Sequence, residues 1–280
     1  MNRKNVAWAL PLSMLLAVLT MLSSVAAAAP ESVLPPPKNG HVYVVAHRGA
    51  HQGIPENTLP AYQKAIDLGA DFVEIDVRTT KDGKFVSVHN GKVDDYTQGA
   101  VKGNVSDMTL EELRALDIGS RVGPEWKDTK IPTFEEILDL CKGKIGIYLD
   151  LKAAEVAPLI KEIKARGMER SVIWYAGPSK LKEVVKLCPE CIPMPDPYEM
   201  KNLPKLLEQD KPRLVASSWD FYSKEFAEKC HAAGALVIVD DDGPQCWGPA
   251  LDWGTDGIQT DEPEQLIAYI KQRESAKSTK

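Results

Sequence analysis

Eight short apolar runs begin near residues 42, 72, 145, 172, 191, 214, 235 and 257, and the segments between them are long enough to hold helices. This spacing narrows the fold more than any other feature, because parallel neighbours need a crossover of roughly a dozen residues. Tyr43-Val44-Val45-Ala46 is apolar on both faces, as a buried parallel strand is. Phe72 to Arg78 alternates instead: Val73, Ile75 and Val77 point one way, and Glu74, Asp76 and Arg78 the other. Within Ile145 to Lys152, Tyr148, Asp150 and Lys152 likewise share a face. Eight strand and helix units in about 240 residues predict an α/β fold, a TIM-type (β/α)8 barrel. An open doubly wound sheet would want a glycine-rich phosphate turn after an early strand, and Gly49-Ala50-His51-Gln52-Gly53 is a poor match.

Helix signals fall between the runs. Asn57-Thr58 opens a helix through about Leu68, ended by Gly69, and Thr133 caps another that runs to Gly143. Further helices are expected over 179–187, about 202–209, 223–233 and Pro263 to about Arg273, followed by a polar tail over 274–280. One connection is too short for a crossover. Phe85 to His89 follows the second strand after only Lys81-Asp82-Gly83-Lys84, so the two form an antiparallel hairpin. A two-residue Asp82-Gly83 turn pairs 81 with 84, 79 with 86 and 76 with 89, which sets His89 opposite Asp76. Residues 79–130 are then an insertion after the second strand, with Met108 to Leu113 a short capped helix and 91–130 otherwise a loop over the site.

The chain opens with Arg3 and Lys4, an apolar run from about Val6 to Leu22, and then Ser24-Val25-Ala26-Ala27-Ala28-Ala29. That is the layout of a signal peptide over 1–29, with a secreted or periplasmic destination; an uncleaved membrane anchor is the alternative. Residues 30–40, with Pro30 and Pro35-Pro36-Pro37, read as a tether into one domain over 41–273. Dropping Arg3 and Lys4 from 34 basic side chains leaves 32 against 40 acidic ones, a formal charge of −8 with no basic cluster. This excludes a nucleic-acid partner, and no stable membrane partner is expected after cleavage. Five cysteines in an exported chain permit disulfides and leave at least one thiol unpaired. Cys188-Pro189-Glu190-Cys191 lacks a second pair of ligands and reads as structural cysteines or a local disulfide rather than a zinc site.

The chemistry gathers between Tyr43 and Asn90. In a barrel of this kind functional groups sit at the C-terminal ends of strands, where His47, Glu74, Asp76, Asp150 and Lys152 all fall. Glu74, Asp76 and Asp150 would repel one another unless a cation offsets them, and an all-oxygen set suits one divalent metal, Ca2+ or Mg2+. His47 and His89 beside such a metal serve as an acid and a base. Arg48 and Lys152 would neutralise a bound anion, a recurrent way to stabilise a phosphate transition state. Trp174 and Trp219, near later strand ends, are candidate pocket walls, and Trp219 is taken as substrate-binding.

These residues, in the motifs His47-Arg48-Gly49-Ala50, Pro55-Glu56-Asn57-Thr58, Glu74-Ile75-Asp76-Val77, Asp82-Gly83 with Val88-His89, and Gly257-Ile258-Gln259-Thr260-Asp261, resemble the glycerophosphodiester phosphodiesterase family. The resemblance implies His47 and His89 as general acid and base, and Glu74 and Asp76 as metal ligands. It also implies Arg48 and Lys152 as phosphate contacts, and Asp150 where the family usually has a metal-binding Glu. Asn90 stands where the family commonly has Asp, and the strand Leu236 to Asp240 lacks the usual tryptophan. The expected reaction is metal-dependent hydrolysis of a small-molecule glycerophosphodiester to glycerol 3-phosphate and an alcohol. The alternatives are a lysophospholipase D or sphingomyelinase D type enzyme acting on lipids, a glycosidase using Glu74 and Asp150, and a non-catalytic metal- or phosphate-binding barrel.

Overall fold

The computed structural model describes residues 32–278, so the expected signal segment over 1–29 lies outside the described residues. From Val33 onward the chain is one unit. Its elements are β1 (Tyr43–Ala46), α1 (Leu59–Leu68), β2 (Phe72–Thr79), β3 (Phe85–Ser87), α2 (Leu110–Arg114), α3 (Phe134–Cys141), β4 (Gly146–Ala153), α4 (Val156–Arg166) and β5 (Val172–Tyr175). There follow α5 (Pro178–Leu187), β6 (Ile192–Pro193), α6 (Leu203–Gln209), β7 (Leu214–Ser218), α7 (Lys224–Ala232), β8 (Leu236–Asp240), α8 (Trp247–Trp253), β9 (Gly257–Thr260) and α9 (Pro263–Ser278). Among the described residues no helix is long and apolar enough to cross a membrane.

The sheet runs β6-β5-β4-β2-β1-β9-β8-β7, with each neighbour parallel and β3 antiparallel on β2. Its ends meet just past β6, where the Ala216 amide donates to the Pro195 carbonyl at 3.0 Å. Eight parallel strands with helices between them thus make a nearly closed TIM-type barrel, as the spacing predicts.

Two-residue periodicity sorts the strands' side chains. Val44, Val73, Ile75, Ile147 and Leu149 face outward into the larger core, where they meet α1, α3 and α4. Within α3, Phe134, Ile137, Leu138 and Cys141 are buried on that face, and a Thr133–Glu136 capping box begins the helix. Losing Phe134 to alanine there would cost about 3–5 kcal/mol. The inward positions change character along the barrel axis. Toward the N-terminal ends Tyr43, Phe72, Ile173, Ile192 and Leu214 fill the interior, and Leu34 packs with them, buried. The proline-bearing stretch is therefore anchored as well as extended: the Tyr43 hydroxyl donates to the Pro35 carbonyl at 2.7 Å. Gly146 leaves the room that Phe72 occupies, since a Cβ there would lie 2.4 Å from its ring.

Two expectations need correction. The β2–β3 ladder pairs Val77 with Ser87, Arg78 with Val86 and Thr79 with Phe85, one residue away from the expected register. Only Gly83 of the turn takes positive φ, at 74°. The Thr80 amide bonds the Lys84 carbonyl at 2.8 Å, which makes a three-residue loop of Lys81, Asp82 and Gly83. The Asp82 carboxylate accepts from the Thr80 hydroxyl at 2.6 Å and from the Leu110 amide at 3.0 Å, so it is committed to the loop and to the start of α2. Val88, not His89, consequently lies across from Asp76, its amide donating to the Asp76 carbonyl at 2.9 Å. The terminal helix also outlasts its expected end near Arg273, running on to Ser278.

The insertion carries a small core of its own, with Val88, Val93, Tyr96, Leu113 and Ile118 buried together. On the opposite side of the barrel Cys188 and Cys191 form a disulfide between α5 and β6, while Cys141, Cys230 and Cys246 are buried free thiols.

Candidate active site

At the C-terminal ends of the strands the inward positions turn polar and surround a cavity of about 290 Å³. His47, Arg48, His89, Asp150 and Lys152 line it, joined by Tyr148, Tyr175, Asp196, Ser217, Ser218, Asp240 and Gln259. Strand register explains the convergence. Asp76 pairs with Asp150, and Asp150 with Tyr175, which brings their side chains to one level.

Glu74, Asp76 and Asp150 each offer an oxygen within 4.8 Å of the others. Glu74 and Asp76 are buried, and Asp150 is partly buried. Burial, with Asp76 beside it, pushes the Glu74 carboxyl well above its usual range; burial raises Asp150 as well. Asp76 accepts from the Asn57 side-chain amide at 2.7 Å through Oδ2, but its buried Oδ1 receives no hydrogen bond and has only the Lys152 ammonium at 3.3 Å as an ion-pair partner. Three clustered carboxylates, one with a buried oxygen that receives no hydrogen bond, fit a hard divalent cation.

Cations border the cluster. Lys152 Nζ donates to Asp150 Oδ2 at 2.6 Å and lies 3.3 Å from Asp76 Oδ1. The Arg48 guanidinium lies between Glu56, at 3.4 Å, and Asp76, at 3.7 Å. Its backbone serves a second purpose: the Arg48 amide donates to Glu74 Oε2 at 2.8 Å, and Arg48 takes φ 53°. Asn57 adopts φ 55°, and its amide bonds the Arg48 carbonyl at 2.9 Å. Two non-glycine residues in this region mark a loop whose conformation costs energy, on the order of 1–3 kcal/mol each.

The two histidines have different partners. His47 Nδ1 lies 2.7 Å from Asp261 Oδ1, an oxygen that also meets His51 Nε2 at 3.0 Å. Burial lowers the His47 pKa, but Asp261, Glu74 and Asp240 outweigh it and pull the imidazole up to about 9. Asp261, bonded by both rings, is held far below the usual carboxylate range. His89 Nδ1 lies 2.9 Å from Asn90 Oδ1. Among the described residues Arg78 pairs with no carboxylate; it donates to the His89 carbonyl at 2.6 and 3.0 Å and fixes that loop.

Seven of the eight residues singled out above therefore meet at one mouth: His47, Arg48, Glu74, Asp76, His89, Asp150 and Lys152. Trp219 follows Ser218, which lines the cavity, but its ring stacks on Trp253 at 5.4 Å between centroids and is not among the lining groups. Trp174 is fully buried. Sequence reasoning gave no site role to Asn57, Asp196, Asp240, Gln259 or Asp261, although Asn57, Gln259 and Asp261 stand in the motifs quoted above. Asp240, Gln259 and Asp261 were reachable, since they stand on or just past β8 and β9, whose inward positions open into the same mouth.

The match to the Glycerophosphoryl diester phosphodiesterase family covers residues 47–182, the segment that supplies this set. A glycerophosphodiester phosphodiesterase of Caldanaerobacter subterraneus subsp. tengcongensis is 33% identical over 249 residues, spanning 81% of this chain and 97% of the relative. The chain belongs to the glycerophosphodiester phosphodiesterase family. Its members are phosphoric diester hydrolases, and the Bacillus subtilis glycerophosphodiester phosphodiesterase is 28% identical over 87% of this chain and 90% of its own. Among solved structures, an Oleispira antarctica phosphodiesterase in complex with the product sn-glycerol-3-phosphate superposes with a TM-score of 0.70 at 26% identity, covering 82% of this chain and 96% of that one. The Agrobacterium tumefaciens glycerophosphodiester phosphodiesterase shares the fold, with a TM-score of 0.72 at 24% identity over 81% and 99% of the two chains.

Proposed function

We propose that the protein hydrolyses glycerophosphodiesters to glycerol 3-phosphate and an alcohol, using one divalent cation, Ca2+ or Mg2+, after export from the cytoplasm. The observation that carries this reading is the meeting of two imidazoles, three carboxylates and two fixed cations at one barrel mouth. Glu74, Asp76 and Asp150 would hold the cation. When bound, it supplies positive charge that offsets the carboxylates and polarises a phosphate oxygen. Arg48 and Lys152 face the same space and neutralise the diester's remaining charge. His47 and His89 act as the acid–base pair. A hydroxyl of the glycerol arm attacks phosphorus and gives its proton to one ring, and the departing alcohol takes a proton from the other. Water then opens the resulting cyclic phosphate with the roles reversed.

The test is a panel of glycerophosphodiesters and lysophospholipids assayed with each metal and after chelation. Turnover of the diesters that depends on the metal and falls about 10²–10⁴-fold in His47→Ala and His89→Ala is the expected result. Activity that survives chelation would exclude the metal-dependent reading, and lysophospholipids outcompeting every water-soluble diester would favour the lipid-directed enzyme. Unchanged turnover in both histidine variants would remove these rings from the chemistry.

A further inference from the structure

The two imidazoles differ in what holds them, and that difference bears on which one donates the proton. His89 Nδ1 faces Asn90 Oδ1 at 2.9 Å, and the amide's orientation is fixed because Asn90 Nδ2 donates to Asp95 Oδ2 at 2.7 Å. An amide oxygen only accepts, so His89 carries a proton on Nδ1, which leaves Nε2 as the ring nitrogen that can take one up. Among the described residues no carboxylate hydrogen-bonds this ring, whereas Nδ1 is committed to an amide oxygen. His47 Nδ1 also donates, but to a carboxylate, Asp261, at 2.7 Å. A carboxylate stabilises the doubly protonated ring, whose Nε2–H is a donor.

We infer that Asp261 is a positioning residue which, braced by His51, holds His47 as the proton donor to the departing alcohol and leaves His89 as the acceptor for the attacking hydroxyl. This rests on the phosphodiesterase reading above. The brace is explicit: His51 Nε2 meets the same oxygen, Asp261 Oδ1, at 3.0 Å, so the carboxylate is held from both sides although 56% of its side-chain surface is exposed. The charged groups around His47 agree in direction. Glu74 on β2, Asp240 on β8 and Asp261 after β9 favour its charged form, Arg48 beside it opposes, and together they outweigh burial. In the first half-reaction the bond from the glycerol oxygen to phosphorus forms as its proton passes to His89 Nε2. The bond from phosphorus to the departing oxygen breaks as that oxygen takes the proton from His47 Nε2.

A poor leaving group needs that proton and a good one does not, so the test compares two glycerol phosphodiesters, one releasing choline and one releasing p-nitrophenol. Asp261→Ala should lose about 10²-fold in kcat/KM on the choline diester and almost nothing on the nitrophenyl diester. His47→Ala should show the same split, whereas His89→Ala should lose heavily on both. Asp261→Asn, which still accepts from Nδ1 but brings no charge, should fall between Asp261→Ala and the parent. Equal losses on the two substrates in Asp261→Ala, or none on either, would overturn the assignment. A parent enzyme idle on both diesters would sink the phosphodiesterase reading, and this inference with it.

Discussion

The barrel's two arcs are built to different standards. From Phe72↔Gly146 to Arg78↔Ala153, β2 and β4 pair along nearly their whole length. Across the barrel β6 meets β5 only at Ile173↔Ile192 and Trp174↔Pro193, and reaches β7 through the Ala216 amide bond to Pro195. The long ladder carries Glu74, Asp76, Asp150 and Lys152, whose mutual repulsions and ion pairs would distort a weaker frame. The short ladder contributes Asp196 and the small Ser217 and Ser218, and a disulfide stands beside it. Electrostatic stress is thus concentrated where backbone hydrogen bonding is densest.

If the first arc is strained by its function, relieving it should stabilise the fold at the expense of turnover. Glu74→Gln is expected to abolish turnover while raising the thermal midpoint of the chelated protein by about 2–4 °C, because a buried like charge is removed. A lower midpoint would mean that the carboxylate contributes to the fold and would erase the contrast. On the other arc the disulfide should affect stability alone. Closing so short a loop is worth roughly 2 kcal/mol, so the Cys188→Ser, Cys191→Ser double variant should melt about 4–8 °C lower and retain the turnover of the parent at 25 °C. A parallel fall in kcat would tie the two arcs together.

A finer probe is the charge on His47. Its pKa is raised from 6.5 to about 9, so its charged form stabilises the native state fully below the ordinary value, and that contribution is lost as pH rises through about 9. A ring-proton NMR titration should give a midpoint near that value in the parent and a lower one in Asp261→Asn; identical midpoints would dissociate the carboxylate from the ring. The smallest effect is expected at Trp219. Because the ring stacks on Trp253, Trp219→Leu should lower the melting temperature slightly with little change in KM, and a large rise in KM would return the ring to the pocket.

The eight parallel strands were readable because each is buried on its outward face, which writes apolar residues at alternate or successive positions whatever the inward residues do. Helices with weaker signatures were harder to locate. α8 starts with Trp247-Gly248-Pro249, residues that say little in favour of a helix, and its burial against the core supplies what propensity does not. The hairpin register slipped because Asp82 spends its side chain on Thr80 and on the α2 terminus, a commitment made 28 residues further along the chain. His89 still reached the cavity, since Arg78 gathers its loop. The bond between His47 and Asp261 spans 214 residues and has no local signal. It follows from closure alone: β1 pairs with β9 up to Ala46↔Thr260, so the next residue on each strand must be neighbours.

The turn that joins Arg48 to Asn57 sets a condition on anyone who would rebuild this mouth elsewhere. The Arg48 amide meets Glu74 from a main chain that turns left-handed four times within ten positions, at Arg48, Gly49, Gly53 and Asn57. Copying the seven reactive side chains onto another cylinder would leave out a ligand-orienting group that no rotamer search contains. A faithful graft has to carry the loop's backbone path along with its chemistry.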